Sequence, residues 1–183
     1  MRSCWIRLGE NMIQKIGVIG AGQMGNGIAQ VAACAGYDVV MVDIKDEYVE
    51  KGLGTIQFSL GKLVSKERMT QQEADSALAR IVTGTDRSAC ADCDLVVEAV
   101  PEILELKTSI FSELDGLCKP ETILASNTSS ISISTIAQAT QRPDKVIGMH
   151  FMNPVPIMKL VEIINGDDTS EATNQAVVKA AET

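Results

Sequence analysis

Short apolar runs alternate with stretches of helical periodicity along the whole chain. Residues 15–19 are an apolar run that stops at a glycine, which predicts a buried strand. Residues 25–35 predict a helix closed by Gly36, and its small Gly27, Ala29, Ala32 and Ala33 suit close packing on a sheet. Residues 37–42 predict a second strand ending at Asp43. The long connection over 44–80 predicts two helices, one over about 47–65 and one starting at Thr70. There Thr70-Gln71-Gln72-Glu73 has the residues of a capping box. Further strands are predicted over 81–83, 94–100, 122–126, 146–150 and 159–164. Over 102–117, Ile103, Leu106, Ile110, Leu114 and Leu117 form one helical stripe. A last helix, capped by Asp168-Thr169-Ser170-Glu171, is expected to reach Thr183. This alternation predicts an α/β fold with a doubly wound, mostly parallel sheet and a helical-hairpin insertion after the second strand.

Composition narrows the picture only in part. The 183 residues can hold one domain with a sizeable core, expected over 13–183, with residues 1–12 as an N-terminal extension. The net charge of −8 disfavours nucleic acid as a partner. No apolar run approaches the roughly 18–20 residues of a membrane span. The five cysteines form no regular framework, which suits free thiols and a cytoplasmic location. Cys90 and Cys93 make a CxxC, but no second pair completes a zinc site, so no metal is expected.

Chemistry enters with Gly20-Ala21-Gly22-Gln23-Met24-Gly25, a GxGxxG between a strand and a helix. Gly20 permits a tight turn, Gly22 leaves room for a pyrophosphate, and Gly25 lets the helix approach the sheet. The helix start at Gln23 and Met24 offers amides to phosphate. Asp43, 18 residues after Gly25, can accept bonds from ribose hydroxyls and would repel a 2′-phosphate. The pattern predicts a Rossmann-type domain that binds NAD rather than NADP.

A second cluster lies further along. His150, the one histidine, ends an apolar strand. Alternation puts Glu162 on one face with Leu160 and Ile164, a face expected to be buried. A buried carboxylate needs a partner, and the turn at Asn153-Pro154-Val155-Pro156 would bring Glu162 to His150. Ser126-Asn127-Thr128-Ser129-Ser130 follows another strand end and suits either substrate binding or helix capping.

Residues 125–130, and then 148–162, which read GMHFMNPVPIMKLVE, resemble the signature of 3-hydroxyacyl-CoA dehydrogenases, in wording closest to the bacterial 3-hydroxybutyryl-CoA type. The resemblance covers roughly residues 12–183. It implies an acid/base pair at His150 and Glu162, with Ser129 as the catalytic serine on the substrate oxygen. Contacts to NAD are implied at Asp43, Glu102, Lys107, Ser129 and Asn153. Contacts to coenzyme A are implied at Ser59 and Lys66, where Lys62, Lys66 and Arg68 form a basic patch.

The same resemblance implies hydride transfer between C3 of a 3-hydroxyacyl-CoA and C4 of the nicotinamide, in fatty-acid or butyrate metabolism. It also implies a following helical domain, absent from this chain, that supplies an asparagine and most of a homodimer contact. The 183 residues are therefore expected to bind NAD but turn over poorly. The alternative is an NAD(H)-binding module without turnover, as in crystallin-like relatives. A segment of a multifunctional fatty-acid oxidation enzyme is a weaker reading, since such proteins carry a long preceding domain.

Overall fold

The computed structural model describes residues 13–183, so the expected extension at 1–12 lies outside the described residues. A seven-stranded sheet has the order β3-β2-β1-β4-β5-β6-β7. The strands are β1 (Lys15–Ile19), β2 (Asp38–Val42), β3 (Ile81–Gly84), β4 (Leu95–Glu98), β5 (Ile123–Ser126), β6 (Val146–Phe151) and β7 (Val161–Asn165). The helices are α1 (Gln23–Cys34), α2 (Asp46–Ser65), α3 (Gln71–Ala79), α4 (Leu104–Leu117), α5 (Ile133–Ala137) and α6 (Glu171–Ala181). Strands β1 to β6 are parallel, and β7 runs antiparallel to β6 at the edge. Strand order reverses between β1 and β4, which opens a crevice at the carboxyl ends of the strands.

Two apolar layers sandwich the sheet. One face packs Ile16, Val18, Val39 and Met149 against α1, α3 and α6. Helix α1 can lie close because Gly27, Ala29, Ala32 and Ala33 are small and buried. The other face packs Ile19, Val96 and Leu124 under Ile110, Phe111 and Leu114 of α4 and Ile136 of α5. Of the predicted α4 stripe, Ile103 is instead exposed at the cap position, and Lys107 and Phe111 join the buried face.

The helical hairpin after β2 is present. At its second helix the Thr70 side chain accepts from Glu73 N, and Glu73 reaches back to Thr70 N, so both arms of the capping box form. Ser170, within the predicted capping stretch, caps α6. Cys90 and Cys93 are both fully buried beside β4, and Cys118 lies against them. Burial pushes the Cys118 thiol up to about 11, which keeps it protonated and inert.

One expectation fails. The face expected to carry Leu160, Glu162 and Ile164 is not buried: Leu160, just before β7, is 55% exposed, and Ile164, within it, 38%. The cause is position. β7 is an edge strand, and on this side the five-residue α5 reaches only as far as Gly148 and Ile164. Val161 and Ile163, which point to the opposite face, are the residues that pack on the core.

Candidate active site

The glycine loop is built by backbone geometry. Gly20 has φ +105°, a left-handed value that favours glycine, and its N–H donates to Val42 O at 2.7 Å. A Cβ on Gly25 would lie 1.8 Å from Gly20 O, so the start of α1 can touch the loop only without a side chain. Gly22 faces open space and begins α1 without a side-chain cap, leaving first-turn amides, including those of Gln23 and Met24, available to an anion. The Met24 side chain packs on the core, whereas Gln23 Nε2 donates to Asn153 Oδ1 at 3.1 Å. That bond ties the fingerprint to the loop after β6.

Asp43, at the end of β2, clamps this loop. Its Oδ2 accepts from Ala21 N and its Oδ1 from Ile44 N, each at 2.7 Å. A carboxylate has about four acceptor directions, so both oxygens can still take a ribose hydroxyl. The adjoining cleft has a volume of about 650 Å³ and runs from Gly22 and Asp43 to Val100 and Leu106. An uncapped helix start, an empty position at Gly22 and an acceptor at Asp43 together fit a dinucleotide with free ribose hydroxyls.

Across the crevice a buried ion-pair network joins β4, β5 and α4. Glu98 and Lys107 are 0% and 1% exposed, and Lys107 Nζ lies 2.7 Å from Glu98 Oε1. The ammonium also donates to Val100 O at 3.3 Å and pairs with Glu102 Oε2 at 3.2 Å, which uses its three hydrogens. Ser126 Oγ donates to Glu98 Oε2, and Val100 N to Glu98 Oε1, each at 2.7 Å.

Glu102 in turn holds the loop after β5. Its Oε1 accepts from Thr128 Oγ1, from Ser129 N at 3.2 Å and from Ser130 Oγ at 3.1 Å. Desolvation raises its pKa, but the Thr128 bond, the Lys107 charge and the Ser130 bond outweigh that and hold it at about 2. The stabilisation it gives is present above the ordinary carboxylate value of 4.5 and disappears only as pH falls towards 2. Ser129 itself is exposed at the carboxyl end of the sheet. Helix capping in this region falls to Ser132, at the start of α5.

His150 and Glu162 are directly opposite each other in the antiparallel β6–β7 pair. That register alone brings their Cβ atoms to about 4.5–5.5 Å. His150 Nδ1 lies 2.8 Å from Glu162 Oε2, with the two side chains 21% and 52% exposed. Bonded to a carboxylate, Nδ1 carries hydrogen, so in the neutral ring Nε2 is the basic nitrogen. Asn127 Oδ1 accepts from Phe151 N at 2.8 Å and joins the Ser129 loop to the end of β6.

Gly20, Asp43, Glu102, Ser129, His150 and Asn153 thus gather along the carboxyl ends of β1, β2, β4, β5 and β6. Ser59 and Lys66 do not join them. They lie two turns apart at the far end of α2, Ser59 half-buried and Lys66 exposed as the C-cap. Lys62, on the same face, sits 4.2 Å from the Phe58 ring.

The fold and glycine loop define a Rossmann-type dinucleotide-binding domain. Residues 15–183 match the family model described as 3-hydroxyacyl-CoA dehydrogenase, NAD binding domain. The chain belongs to the 3-hydroxyacyl-CoA dehydrogenase family. It is 53% identical over 165 residues to 3-hydroxybutyryl-CoA dehydrogenase of Bradyrhizobium diazoefficiens, covering 90% of this chain and 56% of that protein. It is 54% identical over 168 residues to a probable 3-hydroxybutyryl-CoA dehydrogenase of Deinococcus radiodurans, covering 92% and 60%. The crystal structure of (S)-3-hydroxybutyryl-CoA dehydrogenase from Ralstonia eutropha matches with a TM-score of 0.91 at 48% identity, covering 93% of this chain and 60% of that one. The chain therefore spans a little over half the length of these relatives.

The cofactor of this domain is NAD, and Asp43 gives a direct test of that preference. Asp43→Ala removes the acceptor for Ala21 N as well as any ribose contact. NADH affinity, followed by fluorescence titration, is expected to fall at least about tenfold, in keeping with roughly 1.5–3 kcal/mol for a charged hydrogen bond. The preference over NADPH should narrow. Unchanged affinity and preference would remove Asp43 from the cofactor site.

Proposed function

We propose that this chain is the cofactor-binding part of an NAD-dependent dehydrogenase that interconverts 3-hydroxyacyl-CoA, with 3-hydroxybutyryl-CoA favoured, and 3-oxoacyl-CoA. The observation that carries this reading is the His150–Glu162 pair at the carboxyl end of β6, on the same edge of the sheet as the glycine loop. Bound NAD supplies the hydride acceptor. In oxidation, Nε2 of His150 takes the C3 hydroxyl proton as the C3 hydride leaves and the carbonyl forms. In reduction, protonated His150 returns that proton to the oxygen. Glu162 fixes the tautomer through Nδ1 and stabilises the imidazolium. Ser129 holds the substrate oxygen, and its loop is kept in place by Glu102. Asn153, linked to Gln23, orients the cofactor against it.

Ser59 and Lys66 are assigned to coenzyme A, with Lys66 meeting its phosphates from the exposed end of α2. The same reading makes the full-length protein a cytoplasmic homodimer in fatty-acid or butyrate metabolism. Free thiols at Cys34, Cys90, Cys93 and Cys118 suit a reducing compartment. No helix among the described residues is long and apolar enough to cross a membrane.

The test is loss of NADH absorbance on adding acetoacetyl-CoA, with NADH binding titrated in the same sample. Acetoacetyl-CoA-dependent loss is the expected result. Binding without loss would favour the NAD(H)-binding module. No binding would overturn the reading as a whole.

A further inference from the structure

Glu98 is the most deeply buried carboxylate among the described residues, and none of the chemistry above uses it. It ends β4, a strand that is otherwise Leu95, Val96 and Val97, with its side chain fully enclosed. A carboxylate in such a place is costly unless it is paired and fully bonded. Its three donors come from three different segments. Lys107 belongs to α4, Ser126 to the end of β5, and Val100 N to the turn that follows β4.

The chain of contacts then continues outward. Lys107 is held from below by Glu98 and presents its remaining reach to Glu102. Glu102 collects Thr128, Ser129 N and Ser130 Oγ from the loop after β5. Ser126 sits at the root of the same loop, and its Oγ is also 3.3 Å from Thr128 N. Glu98 therefore grips that loop twice, directly through Ser126 and indirectly through Lys107 and Glu102.

We propose that Glu98 is a positioning residue of this site: with Lys107 it forms a buried ionic anchor that fixes Glu102 and sets the conformation of the Ser129 loop. It touches neither cofactor nor substrate. Lys107, enclosed and bonded to three oxygens, is the link through which Glu98 acts on Glu102. The proposal rests on the reading of the Ser129 loop as part of the active site, but its first readout needs no ligand.

The test compares Glu98→Gln, Glu98→Asp and the double variant Glu98→Gln/Lys107→Met with wild type. Thermal midpoint, amide hydrogen exchange at Ser129 and NADH affinity are measured for each. Glu98→Gln leaves a buried ammonium under-compensated and should lower the midpoint. The double variant removes that charge and should recover most of the midpoint. Exchange at Ser129 should nevertheless stay at least about tenfold faster than wild type in it, because Glu102 has lost its anchor. Glu98→Asp keeps the charge but withdraws the carboxylate by one methylene, and it should loosen Ser129 with little change in midpoint. A double variant that returns both midpoint and Ser129 exchange to wild-type values would reduce Glu98 to a structural charge pair and overturn the proposal. Faster Ser129 exchange with unchanged NADH affinity would uphold the positioning role and instead remove the loop from the cofactor site.

Discussion

His150→Ala is expected to lower the rate of NADH-dependent acetoacetyl-CoA reduction by about 10²–10⁴-fold, the usual contribution of a positioned general acid. NADH affinity should stay within about twofold of wild type. The split follows from geometry. His150 is the penultimate residue of β6, with Nδ1 committed to Glu162, and Nε2 is the nitrogen proposed to exchange a proton with substrate. The groups proposed to receive the dinucleotide, on the glycine loop, at Asp43 and at Asn153, have no hydrogen bond to His150. Among the described residues no second imidazole exists that could take over. A variant that keeps more than a tenth of wild-type turnover would show that the proton comes from another group. A variant that loses NADH binding would show that the histidine shapes the cofactor site instead.

The fold was legible because its strands are short apolar runs separated by helical periodicity, and β1, α2, α3 and α4 begin or end within about two residues of the expected places. The fingerprint was legible because each glycine has a steric reason tied to its spacing. The contact between His150 and Glu162 is legible in the sequence, although one premise behind it does not hold. Alternation puts Glu162 on a face expected to be buried and therefore in need of a partner, yet it is 52% exposed. What unites the pair is the antiparallel register across the 153–156 turn.

The same rule about buried carboxylates, applied one strand earlier, would have found Glu98. The run Leu95-Val96-Val97-Glu98 lies in the central, doubly covered part of a parallel sheet, where both faces are packed. A charge there must be bonded on all sides. An edge strand such as β7 imposes no such demand. Alternation alone cannot tell the two cases apart, because it gives a residue's face but not what covers that face. The partners of Glu98 were equally hidden, since Lys107 sits on a helix and Ser126 on another strand. Only the sheet order brings the three together.

Gly25→Ala is expected to have the largest effect on cofactor binding, lowering NADH affinity more than about a hundredfold, which corresponds to roughly 2.7 kcal/mol. The added Cβ would lie 1.8 Å from Gly20 O and 2.7 Å from Gly20 C. These are backbone atoms, and the loop cannot yield freely. Gly20 N is bonded to Val42 O, and Ala21 N to Asp43 Oδ2. Either those bonds stretch or α1 retreats from the sheet, and overpacking of this kind costs typically about 1–3 kcal/mol of stability as well. Gly22→Ala separates the two effects. Its Cβ would meet nothing within 4 Å in the protein, so the thermal midpoint should hardly move. If a pyrophosphate occupies that space, NADH affinity should still fall. A fall in affinity for both variants, with loss of stability for Gly25→Ala alone, would place the ligand against Gly22. Unchanged affinity in Gly22→Ala would mean that the dinucleotide approaches the helix from another side, and that the open position at Gly22 has no part in binding it.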